Sequence, residues 1–238
     1  MTRTALVHGF GTSRALWRRV LGGLPGGALT PELPGFGDNA AAGRPGQTTA
    51  DMAASLALTL RAAGEGPYHL AGHSMGGKVA LLFAAQHPDL VAELLLVAPS
   101  PPSPEPMSDE DRAGLRAAHG DRAALEKQYR TITRAPLPEE DFGQLVRDGL
   151  RADAGAWTAW TDVGSREDIR DRLGGLRAPV TVLYSEDDPS MTPETIRTQV
   201  LGALPQARAV VIRGSGHLIP LECPQDVRAL LTPQEDQS

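Results

Sequence analysis

Short runs of apolar and β-branched residues alternate along this chain with longer stretches in which apolar positions recur at helical spacing. That alternation is the pattern of a parallel α/β fold. Residues 4–9 (TALVHG), 67–73 (PYHLAGH), 90–100 (LVAELLLVAPS), 178–185 (APVTVLYS) and 207–214 (ARAVVIRG) predict buried strands. A weaker run, 27–33 (GALTPEL), carries Pro31 and brings the expected number of strands to six. Helices are expected between them. Residues 13–24 start on a capping Ser13 and end in glycines, and residues 48–64 set Met52, Leu56 and Leu60 on one face before Gly64 stops the helix. Others are expected from Met75 to about His87, from Pro193 to Leu201, and from Pro224 onward. No internal repeat is visible.

Between Ser100 and Gly175 the pattern changes. The proline-rich PSPPSPEPMS predicts an extended connector. Helix-like stretches follow at 108–119, 121–133, 138–151 and 153–162, with no strand among them. The reading is a core of residues 1–99 and 170–238, interrupted by a helical cap insertion over 100–169.

Composition narrows the class. With 238 residues, 41% of them hydrophobic and 22% charged, the chain reads as globular rather than disordered. The 29 acidic residues outnumber 23 basic ones for a net charge of −6, and Lys78 and Lys127 are the only lysines. No basic cluster suits a nucleic-acid partner. Cys223 is the sole cysteine, so no disulfide can form within the chain. There is no signal-like amino terminus and no apolar stretch of spanning length, so the expected location is cytoplasmic, with no membrane partner.

The candidate chemistry centres on GHSMG, residues 72–76. The pentapeptide alone is short enough to arise by chance, and a glycine-rich turn would read the same way. Its position is more telling, because it lies where a predicted strand turns directly into a predicted helix, as a nucleophile elbow requires. Ser74 would be displayed at the carboxyl edge of the sheet, beside a helix amino terminus. A hydroxyl nucleophile needs a base. Of six histidines, His217 is the best placed, at the end of a late strand among small residues in RGSGHLIP. His73 is expected to turn away into the packing of the elbow, and His8 to shape the loop behind it. The acid should come from Glu186, Asp187 or Asp188 in VLYSEDDPSM, which gives the chain order serine, acid, histidine. The oxyanion donors would be the amides of Met75 and of Phe10 in HGFG.

Taken together, LVHGFGTSRALW, ELPGFGDN, AGHSMGGKVALLFAAQHPDLVAELLLVAPS, APVTVLYSEDDPSM and GSGHLIPLECPQDV resemble the successive blocks of the α/β-hydrolase superfamily. They are most similar to its small esterase, lactonase and C–C hydrolase group with a helical cap. The resemblance covers residues 4–99 and about 170–231. It implies Ser74 as nucleophile, Asp188 as acid, His217 as base, and Phe10 and Met75 as oxyanion donors. The acid block reads SEDD, with Ser185 where the family has glycine, so Asp187 stays an alternative. A serine at position 74 argues against dehalogenase or epoxide chemistry.

Two strands that the family usually carries before the HG strand are absent here, and strand 27–33 would then form an edge, which suits Pro31. A six-stranded, essentially parallel sheet follows, in a monomer or a homodimer. The implied reaction is hydrolysis of a small carboxylic ester through an acyl-enzyme, with a small-molecule ester or acyl substrate and no metal or organic cofactor. The same triad also serves C–C hydrolases, a menaquinone-pathway-like lyase, perhydrolases and hydrolase-like small-molecule sensors, and the substrate stays open. Trp157 and Trp160 would share a helix face, either lining a pocket or packing the cap onto the core.

Overall fold

The computed structural model describes residues 3–64 and 66–232. Five strands form one wholly parallel sheet in the order β1-β2-β3-β4-β5. They are β1 (Arg3–Val7), β2 (Tyr68–His73), β3 (Val91–Val97), β4 (Val180–Ser185) and β5 (Arg208–Ile212). The central strands are buried along most of their length, which is why their sequences read as continuous apolar runs rather than alternating ones. By contrast, β5 is an edge strand and largely exposed.

The expected sixth strand does not form. Within residues 27–33 only Leu29 reaches the sheet, through a single parallel bridge to Ala5. Its amide donates to the Thr4 carbonyl at 2.9 Å, and its carbonyl accepts from the Leu6 amide at 2.8 Å. Pro31, lacking an N–H, cannot extend that ladder, and the left-handed Gly26 and Gly27 bend the chain just before it. The segment does flank β1, the side on which an edge was expected.

Among the helices, α2 (Thr49–Ala62) begins with a capping box between Thr48 and Asp51 and packs on α3 (Met75–Gln86). Every residue of α3 from Met75 to Ala85 is buried. The expected helix over 13–24 is instead a tight 3₁₀ turn followed by the one-turn α1 (Arg18–Leu21). Four helices and no strand lie between β3 and β4: α4 (Asp109–Ala117), α5 (Arg122–Ile132), α6 (Glu139–Arg151) and α7 (Ala154–Asp162). The side chains of Ser108, Asp121 and Asp153 cap α4, α5 and α7. The chain then closes with α8 (Pro193–Thr195), which runs into a π turn, and with α9 (Ile219–Glu222) and α10 (Pro224–Leu231).

A buried lysine fastens the four-helix segment to the sheet layer. Lys78 of α3 donates from Nζ to the carbonyls of Ser103 at 3.3 Å, Gly164 at 3.2 Å and Glu167 at 2.6 Å. Those carbonyls lie on the chain entering and leaving the four helices. Burial lowers the Lys78 pKa to about 8. Among the described residues no helix is long and apolar enough to cross a membrane.

Candidate active site

Ser74 sits between β2 and α3 with φ 52° and ψ −121°, a left-handed conformation that costs a non-glycine residue about 1–3 kcal/mol. Its neighbours hold it there. The Ser74 amide donates to the Val97 carbonyl at 3.1 Å, and its carbonyl accepts from the amides of Gly77 at 2.8 Å and Ser100 at 3.0 Å. The turn is so tight that a Cβ on Gly72 would lie 2.4 Å from the Gly76 carbonyl oxygen, and one on Gly76 would lie 2.2 Å from that of His8. Both glycines of GHSMG are therefore steric requirements. The serine is 8% exposed and opens onto a cavity of about 670 Å³.

His217 follows β5 and faces the serine. Its Nε2 lies 3.0 Å from Ser74 Oγ, and its Nδ1 lies 2.8 Å from Asp188 Oδ2. The other Asp188 oxygen accepts from the amides of Ser190 at 2.7 Å and Met191 at 3.1 Å, fixing the carboxylate in the loop after β4. Burial by itself would lower the His217 pKa; the charge and hydrogen bond of Asp188, with smaller contributions from Glu105 and Glu222, outweigh it, and the net shift is upward from 6.5. Asp187 turns elsewhere and accepts from the Gly214 amide at 2.7 Å. Of the acids in this loop, Asp188 is the one at the histidine.

Met75 follows the serine in the chain, and Phe10 lines the same cavity. A Cβ on Gly9 would lie 3.2 Å from Ser74 Cβ, so the HGFG backbone passes close to the serine. Met75 opens α3, where the first amides have no intrahelical acceptor. Among the described residues neither amide donates to the protein. The loop itself is braced at two points. Tyr129 of α5 donates from its hydroxyl to the Gly11 carbonyl at 2.8 Å. His8, held neutral by burial, accepts from the Leu33 amide at Nε2 (3.1 Å) and donates from Nδ1 to the Gly9 carbonyl (2.8 Å).

Two residues here have roles that sequence reasoning did not find. His73 does not turn away into the elbow packing. It lines the cavity, its ring centroid is 4.9 Å from that of His217, and its Nε2–H donates to the His217 carbonyl at 2.8 Å. Burial, aided by the neighbouring His217, drives its pKa well below 6.5 and keeps it neutral. Glu222 is buried, and Oε2 accepts from the amides of Gly216, Arg134 and Ala135, each at 2.8 Å, while Oε1 accepts from Leu218 at 3.0 Å. The His217 amide donates to the Ile132 carbonyl at 2.7 Å. The histidine's segment is thus tied to the α5–α6 connection. No spacing rule marks either residue, because His73 bonds a carbonyl far away in the sequence and Glu222 joins nearby amides to the distant ones of Arg134 and Ala135.

The two tryptophans divide. Trp157 is fully buried, stacks 4.3 Å from Phe10 and donates from Nε1 to the Leu115 carbonyl at 2.9 Å. Trp160 lines the cavity, as do Met107 and Tyr129. Among the described residues no group of three or more His, Cys, Asp or Glu side chains is arranged to hold a metal ion.

Sequence comparison places this arrangement in a family. A model of the alpha/beta hydrolase family matches residues 5–230. The chain belongs to the alpha/beta hydrolase family. The hydrolase is 28% identical over 235 residues to Esterase Rv0045c of Mycobacterium tuberculosis, covering 94% of this chain and 79% of that protein. It is 30% identical over 229 residues to a pimeloyl-[acyl-carrier protein] methyl ester esterase of Neisseria meningitidis serogroup B, covering 89% and 84%. A thermophilic esterase from Thermogutta terrifontis superposes with a TM-score of 0.70 at 26% identity, covering 97% of the hydrolase and 88% of that chain.

Proposed function

We propose that this hydrolase cleaves a small carboxylic ester through an acyl-enzyme on Ser74. The observation that carries the reading is the continuous hydrogen-bonded chain Ser74 Oγ, His217, Asp188, with distances of 3.0 and 2.8 Å. Neutral His217, its Nδ1–H held by Asp188, presents a lone pair at Nε2 to the serine hydroxyl. As Oγ attacks the ester carbonyl carbon, the proton passes to Nε2 and the carbonyl π electrons move onto oxygen. That oxyanion lies between the amides of Phe10 and Met75. The C–O bond to the alcohol then breaks, and the imidazolium returns the proton to the leaving oxygen. Water adds by the same route in reverse, and the acid departs. Losing one oxyanion donor in such a site costs about 3–4 kcal/mol of barrier.

In this reading residues 100–169 form a cap whose helices roof the cavity, and the substrate enters between cap and core. The ester-cleaving relatives are consistent with this class of reaction. Turnover of short-chain p-nitrophenyl esters by the wild type and by Ser74→Ala tests it. The variant should lose essentially all turnover while folding normally; equal rates would remove Ser74 from the mechanism.

A further inference from the structure

One buried carboxyl in the active-site cavity has no part in the acyl-transfer steps. Glu105, in the proline-rich segment after β3, is 6% exposed and lines the same cavity as Ser74 and His217. Its backbone is fixed. The Glu105 amide donates to the Ser165 carbonyl at 2.8 Å, and its carbonyl accepts from Arg112 Nη2 at 2.9 Å and from the Met107 amide at 2.7 Å. Its carboxyl takes part in no hydrogen bond of normal geometry among the described residues, although the buried Ser100 hydroxyl lies close enough to favour its anion.

Neither neighbouring cation donates to the Glu105 carboxyl. Lys78 spends its ammonium on three carbonyls. Arg112 donates to the carbonyls of Thr161 and Glu105 and to the Ser165 hydroxyl, while its buried Nε has no partner among the described residues. A buried carboxyl left without a donor is costly, and charge-assisted hydrogen bonds are among the strongest that could relieve it. Toward the cavity mouth the charged lining continues with Glu110 and Asp111 against the single cation Lys127. Among the lining residues carboxyl groups thus outnumber cations, with Lys78 and Arg112 set beside Glu105.

We infer that Glu105 is a specificity-determining residue whose carboxyl receives an ammonium group on the ester substrate. This assignment rests on the reading of Ser74 as the nucleophile. Burial raises the Glu105 pKa against the opposing pull of the Ser100 hydroxyl, Lys78 and Arg112. An ammonium arriving beside it favours the anion and converts an unpaired group into an ion pair inside the cavity.

The test compares kcat/KM for methyl pentanoate, its ω-amino and ω-hydroxy derivatives, and methyl hydrogen glutarate. Butyl acetate and its ω-amino counterpart place the same group on the alcohol side. Wild type, Glu105→Gln and Ser74→Ala are run in parallel. The wild type should prefer the ammonium ester to its neutral isostere by about tenfold or more on one side of the ester bond, and should reject the carboxylate. Glu105→Gln should retain turnover of the neutral ester and bring the ratio near unity. Equal wild-type rates on ammonium and neutral esters would overturn the assignment, as would a preference for the hydroxyl ester over the ammonium one or a preference that survives in Glu105→Gln. The wild-type comparison decides the matter even if the variant fails to fold. Activity surviving in Ser74→Ala would instead remove the nucleophile reading, a separate outcome.

Discussion

The Glu222 carboxylate grips the backbone on both sides of His217, taking the Gly216 amide at 2.8 Å and the Leu218 amide at 3.0 Å. The same oxygen that holds Gly216 also holds the amides of Arg134 and Ala135 between α5 and α6. Glu222→Ala strips acceptors from four amides and should lower stability by about 2–4 kcal/mol in urea unfolding. It should also reduce kcat by about tenfold or more with little change in KM, because misplacing the base by a fraction of an ångström impairs proton transfer more than binding. Glu222→Gln, which keeps one acceptor oxygen, should fall between the two.

The His217–Asp188 contact predicts a pH dependence. The histidine must be neutral to accept the serine proton. Its pKa is raised above 6.5, since the Asp188 charge and hydrogen bond, helped by Glu105 and Glu222, outweigh the opposing effect of burial. Wild-type kcat/KM should therefore fall as pH drops through a value above 6.5. In Asp188→Asn the main support against burial is lost, so the acid limb should move to lower pH and the plateau should fall by about 10³–10⁴. Asp187→Asn, which loses only its contact with the Gly214 amide, should leave both features in place. A pH–rate profile of the three proteins reads these outcomes.

Lys78 predicts a stability that rises with pH. Its pKa is about 8 in the folded protein against an ordinary 10.5. Between those values the unfolded chain binds more protons than the folded one, so the folded state gains up to about 3 kcal/mol across the window. Below pH 8 the full cost of burying the ammonium applies. Lys78→Met lacks this rise and leaves three carbonyls without their donor. Its stability deficit in urea unfolding should therefore widen from about pH 7 to about pH 10.

Tyr129 braces the loop that carries the Phe10 amide, through its 2.8 Å bond to the Gly11 carbonyl. Tyr129→Phe keeps the ring and removes the donor. We expect a loss of about 1–2 kcal/mol in stability and a fall in kcat of about threefold to tenfold, with KM nearly unchanged. Steady-state kinetics alongside thermal unfolding separate the two effects.

The parts of this site that were legible in the sequence are those with local physical causes. Gly72 and Gly76 announce the elbow because no side chain fits there, and His217 and Asp188 each follow an apolar strand that ends in a loop. The four helices between β3 and β4 could be read from their spacing and caps. The sixth strand failed because pairing is decided by the neighbour as well as by the segment. Leu29 found Ala5, while Pro31 and the glycines before it prevented a second rung. Glu222, His73 and Glu105 gave no signal, since what distinguishes them is burial and, for the first two, bonds to backbone groups such as Arg134 and the His217 carbonyl that are remote along the chain.

Covalent labelling with a fluorophosphonate, followed by peptide mapping, tests the central assignment most directly. The reagent traps a serine only when its oxygen has been activated by a neighbouring base. One adduct per chain on Ser74, matched by loss of esterase activity and absent in Ser74→Ala, is the predicted result. Inactivation with the adduct on another residue, or full activity in a protein whose Ser74 is completely labelled, would contradict it.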